Sequence, residues 1–296
     1  MILMFGFLEP DSFFTIANLR TTASIATPLL VLAIALTVPL ALGEFDLSIS
    51  ASTQLSGAIV IWFISTQGWP IALAIVLTVL LAASGGTVIG AIVVKSGVNA
   101  FIITLGAGTV LTGLEFGISR GSTIYANIPP AYVDIANGRF WGVPTGVFVA
   151  LAFGLIVWAL MERTVMGRQM RAIGGNSEAA RLSGVRVDLL RALGFTITGI
   201  GAAVAAVLLT SQSASYYPNS ASALLLSVYA ACFLGTTVFR QNLFQVGGTI
   251  VGVAFLATLQ SGLIMIGVES WIADIVKGGL LIGAVVLSKL VARRTP

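Results

Sequence analysis

Nine stretches of this chain are almost continuously apolar, and most are near the roughly 20 residues that a helix needs to cross about 30 Å of hydrocarbon. They fall at about 22 to 42, 47 to 66, 70 to 94, 98 to 118, 143 to 161, 190 to 212, 222 to 239, 243 to 267 and 271 to 291. With 57% hydrophobic and 9% charged residues over 296 positions, the chain is far from a soluble domain, where about a quarter of positions are charged. The expected fold class is all-α: a polytopic transmembrane helical bundle with nine predicted spans, forming a single membrane domain over 1–296.

The one long polar interval is Glu162 to Arg191, E-R-T-V-M-G-R-Q-M-R-A-I-G-G-N-S-E-A-A-R-L-S-G-V-R-V-D-L-L-R. Arg163, Arg168, Arg171, Arg181, Arg186 and Arg191 face only Glu162, Glu178 and Asp188. Excess arginine marks the cytoplasmic side of a membrane protein, so the loop 162–191 is expected there. The same orientation puts Lys95, Arg240, Lys289, Arg293, Arg294 and the C-terminus inside. Only Arg20, Arg120 and Arg139 fall outside, and Lys277 falls within a span. Trp69, Trp141, Tyr216, Tyr217 and Trp271 sit at outer ends of spans, where amphipathic rings anchor at headgroup level. The outer connection from Ser119 to Gly142, with Pro129 and Pro130, offers a surface for a soluble partner.

Within the polar interval Gly174 and Gly175 are expected to break the chain, Asn176 or Ser177 to N-cap a short helix, Glu178 to favour its first turn and Gly184 to end it. From composition alone this segment is either a solvated connector that sets topology or a docking element.

Several chemistries are excluded. The single cysteine, Cys232, cannot form an internal disulfide, and there are no histidines. No Cys, Asp or Glu cluster replaces them as a metal site, so no metal and no cofactor is expected. The basic residues follow topology, which argues against nucleic acid despite a pI near 9.6. No G-x-x-x-x-G-K-[ST] occurs, so ATP phosphates cannot be cradled here by a P-loop.

An internal repeat pairs S-G-G-T-V-I-G-A-I-V-V from Ser84 with V-G-G-T-I-V-G-V-A-F-L from Val246, and V-N-A-F-I from Val98 with V-E-S-W-I from Val268. Under the topology above the members run in opposite senses. Residues 22–118 and 190–291 are then two halves of inverted orientation. Gly85, Gly86, Gly90, Gly247, Gly248 and Gly252 are expected at close helix contacts.

The run G-R-Q-M-R-A-I-G-G-N-S-E-A-A-R-L-S-G-V resembles the cytoplasmic loop of ribose-type permeases, the membrane subunits of ATP-binding-cassette (ABC) importers for monosaccharides and related small polar solutes. G-E-F-D-L-S-I-S at Gly43 to Ser50 and V-N-A-F-I-I-T-L-G at Val98 to Gly106 resemble two further motifs of that family. The resemblance implies a type II importer permease fold of ten helices. A complete helix precedes the position of Glu9 to Asn18 in the family, so it also implies that this chain is truncated or has its start assigned too late. It implies a multi-pass protein of a bacterial-type cell membrane, surrounded by lipid and paired with a second permease copy or a similar permease. Two ATPase subunits would dock on Gly174, Gly175, Asn176, Glu178, Ala179, Ala180, Arg181, Ser183 and Gly184. A periplasmic or extracellular solute-binding protein would deliver the solute, and this chain would not be an enzyme itself. L-G-T-T-V-F-R-Q-N-L-F after the seventh span departs from the family's glycine-rich pattern, which leaves the solute open.

Asp46, Ser48 and Ser50 follow the first span. Either they cap a helix start at the membrane surface, or the break lies deeper and lines a polar translocation path with Thr104 and Thr109. Thr112, Ser211, Gln212 and Ser213 are further polar positions. Asp274 and Lys277 form an intramembrane pair, structural or functional, and Glu115 has no evident partner. Two other functions remain in view: an ion-coupled secondary carrier that depends on Asp274, Lys277 or Glu115, and a receptor or scaffold without transport.

Overall fold

A computed structural model describes residues 5–7, 9–238 and 243–292. Arg240, Arg293, Arg294 and the C-terminus, all expected on the cytoplasmic side, lie outside the described residues. So do the start Met1–Met4 and the R-Q-N of the divergent motif.

Each apolar stretch forms a helix whose ends lie within a few residues of expectation. In order these are α1 (Ile16–Ala41), α2 (Ile49–Ile61, extended by a π turn Trp62–Thr66), α3 (Ile71–Ser96) and α4 (Ala100–Ser119). Then come the small α5 (Pro130–Asn137), a hairpin of β1 (Arg139–Phe140) and β2 (Val143–Pro144), and α6 (Thr145–Trp158), extended by a π turn Ala159–Arg163. Two short helices, α7 (Val165–Gly175) and α8 (Ser177–Leu182), precede α9 (Val187–Ser213), α10 (Leu224–Val238), α11 (Val246–Met265) and α12 (Ser270–Ala292). Among the described residues seven helices are long and apolar enough to cross a membrane, and α10 is a shorter apolar helix of 15 residues.

The centre is α1 crossed by α9, the two most buried of the longest helices. They can approach because Gly201 has no side chain: a Cβ there would lie 2.3 Å from that of Ala35. Around this pair α3 packs on α9, α11 on α1, α4 on α2, and α12 on α10. Lipid tails give helices no hydrophobic reason to associate, so contact depends on close fit. Gly252 meets that need where α11 touches α10, since a Cβ there would sit 2.1 Å from Ala231 O. Gly86 and Gly90 act likewise against α9, and Gly248 against Gly235. Gly85 does not, because it faces open space.

One end of the bundle carries the arginine-rich connection. The opposite end carries α5, the hairpin and the connections after α2, α4, α9 and α11. Trp69, Trp141, Tyr217 and Trp271 are exposed at that opposite end, as anchors should be. Tyr216 corrects the expectation: it is fully buried, with its hydroxyl turned inward to the Glu115 carboxylate.

Candidate functional site

Between α1 and α2 the chain is not helical from Leu42 to Ser48, and the question left by the sequence is how deep this break lies. Its partners answer it. Glu44 binds Arg191, in the first turns of α9, at 2.5 and 2.6 Å. Asp46 Oδ2 accepts from the Thr198 hydroxyl at 2.6 Å, and its Oδ1 accepts from the Ser48 N–H and hydroxyl at 3.0 and 2.5 Å. Thr198 stands eleven residues beyond Val187, about 16 Å along the helix at 1.5 Å per residue. The connector therefore climbs from the arginine end to near the middle of α9, which favours the deeper break over a cap at the membrane surface.

Irregular backbone at that depth survives only when protein or a water-filled path satisfies it. Thr104, 0% exposed on α4, supplies part of that: its hydroxyl accepts from Leu47 N at 3.1 Å and donates to Phe45 O at 3.3 Å. Phe45 stacks on Tyr229 of α10, ring centroids 6.2 Å apart. Ser50 donates to Ala221 O at 2.9 Å. The structure thus brings Asp46, Ser48, Ser50 and Thr104 to one buried region. Thr109 is apart from them, exposed on α4 and bonded only to its own helix at Leu105 O.

Ala221 belongs to a second broken connector, 214–223, between α9 and α10. It begins at the opposite end, where Ile124 and Tyr216 exchange backbone hydrogen bonds of 2.8 and 2.9 Å. Glu115 holds its turn, accepting from the Tyr216 hydroxyl and, at 3.0 Å, from Asn219 N. The Gln54 amide completes the cluster. In the amide orientation that matches its neighbours' donors and acceptors, its nitrogen donates to Glu115 Oε2 at 2.9 Å and its oxygen accepts from the Ser222 N–H and hydroxyl at 3.0 Å. The partner that sequence could not find for Glu115 is a folded-back loop about a hundred residues away.

Beside this loop, Ser211 accepts from Ala136 N at 3.0 Å and donates to Tyr132 O at 2.7 Å, fastening α5 to α9. Tyr132, wholly buried, adds a hydroxyl contact of 2.6 Å to Thr210, and burial pushes its phenol well above the ordinary range. Gln212 donates to Ser24 O and Thr27 Oγ1 on α1.

At the arginine end Thr164 caps α7, accepting from Gly167 N at 3.2 Å. This helix went unrecognised in the sequence because its apolar stripe is only Gly167, Met170 and Ile173, at a spacing of three among arginines. Gly174 and Gly175 lie in its last turn, so they do not break the chain. Extended Asn176 does, and it caps α8 by accepting from Glu178 N and Ala179 N at 3.1 and 3.0 Å. Gly174 is small because α7 presses on the end of α1: a Cβ would sit 2.1 Å from Ala41 O. Gly184, at φ +82°, turns the chain after α8.

Ala180 is buried, while Glu178, Ala179, Arg181, Leu182 and Ser183 face outward. Arg181 is tied to Asp188 at 2.6 Å, and Arg171 to Glu162 at 3.0 Å. Leu182 was not singled out in the sequence, where one leucine among arginines is unremarkable. It is 85% exposed.

Asp274 and Lys277 do pair, at 3.4 Å, with Asp274 71% and Lys277 21% exposed. Lys277 borders a cavity of about 380 Å³ with Asn18, Thr21, Ser227, Gln260 and Ile264. Apart from Lys277 these residues were missed because one or two polar side chains per helix leave no pattern within any helix.

Residues 18–285 match the family described as branched-chain amino acid transport system / permease component. The chain is similar to the autoinducer 2 import system permease protein LsrD of Photorhabdus laumondii, 34% identical with 96% of this chain and 86% of that one covered. It is 33% identical to the ribose import permease protein RbsC of Bacillus subtilis, with 96% and 86% covered. The D-allose transport system permease protein AlsC of Escherichia coli is 28% identical, with 99% and 90% covered.

Proposed function

The chain belongs to the permease family that includes the ribose-type ABC importers, and on that premise we propose that it moves a monosaccharide or related small polar solute inward by alternating access. The solute class follows what the relatives are named for, ribose, D-allose and autoinducer 2. As a membrane permease subunit it performs no covalent chemistry. Hydrolysis of ATP belongs to a separate pair of ATPase subunits that dock on α8 from the cytoplasm, while a solute-binding protein engages the opposite end and a second permease copy completes the path.

The observation that carries the docking is the state of α8. A six-residue helix with one buried residue, Ala180, shows Glu178, Ala179, Leu182 and Ser183 to solvent. Yet it is held firmly, by Arg181–Asp188 to α9 and through α7 at Gly174 to α1. A displaced α8 would move the two central helices. The inverted halves 22–118 and 190–291 are part of the same proposal. Their support is that α3 on α9 and α4 on α2 have counterparts in α11 on α1 and α12 on α10. An ion-coupled carrier finds no support: the family is that of ABC importers, Glu115 is already satisfied by its donors, and Asp274 lies mostly exposed.

Leu182→Asp tests the reading better than changes at Arg181, whose guanidinium holds Asp188. Exposed at 85%, Leu182 can change without disturbing packing. Loss of a central apolar anchor costs about 2 kcal/mol or more at an interface, so the ATPase is expected to co-purify at least tenfold less well and solute uptake to fall with it. Full co-purification and full uptake would sink the assignment.

A further inference from the structure

The two broken connectors enter the bundle from opposite ends, and Ser50, in the first turn of α2 just after the first connector, donates to Ala221 O of the second at 2.9 Å. Below that point are Glu44 on Arg191, Asp46 on Thr198, and Thr104 against Phe45 and Leu47. Above it are Gln54 on Ser222 and Glu115, and Glu115 on Tyr216 and Asn219. Tyr216 joins the connection after α4 through Ile124. Polar contacts, joined where they stop by the covalent chain from Glu44 to Gln54, therefore run from the arginine-rich end to the opposite end.

We propose that this column is a mechanical link, with Glu44 and Arg191 as the positioning residues that pass displacement of the α7–α8 segment to the 214–223 connector. The reason is stiffness. A regular helix keeps its own backbone hydrogen bonds when it shifts against a neighbour. A non-helical segment buried at mid-depth cannot shift so freely, because every backbone group it frees must keep its partner. Moving Leu42–Ser48 requires Thr104 and Thr198 to follow or to lose buried hydrogen bonds, and Ser50, covalently next in α2, carries Ala221 with it. The input is placed accordingly. Arg191 is on the first turns of α9, three residues after the Asp188 that holds Arg181 of α8. Ala41, which Gly174 of α7 touches, is three residues before Glu44. Displacement of the docking segment thus reaches Glu44 from both sides of the ion pair.

The role in transport rests on the ATP-driven reading, whereas the test needs only the full chain in lipid nanodiscs, so failure of either can be told from failure of the other. Cys232 is 1% exposed, which leaves single cysteines at exposed positions free for selective maleimide labelling. Tyr217→Cys reports the far connector and Ser177→Cys the docking segment. Glu44→Gln and Arg191→Gln are expected to speed labelling at both positions by about threefold or more, the lower range for coupling through packed networks. The exchanged pair Glu44→Arg with Arg191→Glu is expected to return both rates to within about twofold of the parent. Faster labelling confined to position 177, no change at either position, or no recovery in the exchanged pair would each overturn the link. If a glutamine variant also exposes Cys232, Arg191→Lys, which keeps the charge and loses the planar fork, is judged by the same rates.

Discussion

At the scale of single residues, burial and partnership separate functional candidates that sequence could only group. Asp46 and Glu115 are enclosed by protein, Asp46 among hydroxyl and backbone donors and Glu115 among hydroxyl, backbone and side-chain amide donors, rather than beside a cation. A buried acceptor that loses its donor costs about 1–3 kcal/mol. Thr198→Val keeps the shape of the side chain and removes one donor from Asp46. It is expected to lower stability by about 2 kcal/mol, read as a shift in the denaturant midpoint of the purified chain; an unshifted midpoint would show that Thr198 does not carry Asp46. That Asp46 belonged with Ser48 was legible from their spacing. That Thr198 completes the pair was not, because 152 positions separate them.

At the scale of elements, close approach of helix backbones is the recurring device. The glycines in S-G-G-T-V-I-G and V-G-G-T-I-V-G were readable as contact residues, but which of them touch depends on helix rotation. Gly252 abuts Ala231 O, whereas Gly85 has nothing within 4 Å. Overpacking costs about 1–3 kcal/mol, while a methyl added at an open helical position is neutral or gains up to about 1 kcal/mol in helix propensity. Gly252→Ala should therefore lower thermal stability and Gly85→Ala should not. Equal melting temperatures for the two variants would contradict the packing described. α7 illustrates the converse failure of sequence: an amphipathic helix with three inward positions in eleven is too weak a signal beside apolar stretches twice its length.

At the scale of the whole molecule, orientation is the outstanding expectation. With the arginine end in the cytoplasm, Ser177→Cys should react with a membrane-impermeant maleimide only after cells are opened, and Tyr125→Cys, exposed on the opposite end, should react in intact cells. The reverse pattern would invalidate the docking proposal as well as the topology. Native Cys232 serves as control, since its thiol lies among Thr37 and Ala33 O in the interior and is expected to label only on denaturation. The sequence by itself determined that this is a helical membrane protein, where its long apolar helices fall and where its positive charge concentrates, because hydropathy and charge are properties of neighbouring residues and add along the chain. Only the tertiary structure decided that the break after α1 reaches mid-depth, that Glu115 is satisfied by a loop from the other half, and that Ser50 meets Ala221. Those contacts join segments far apart in sequence, and they exist only once the two central helices, crossing closely at Gly201 and Ala35, have set every other helix in place.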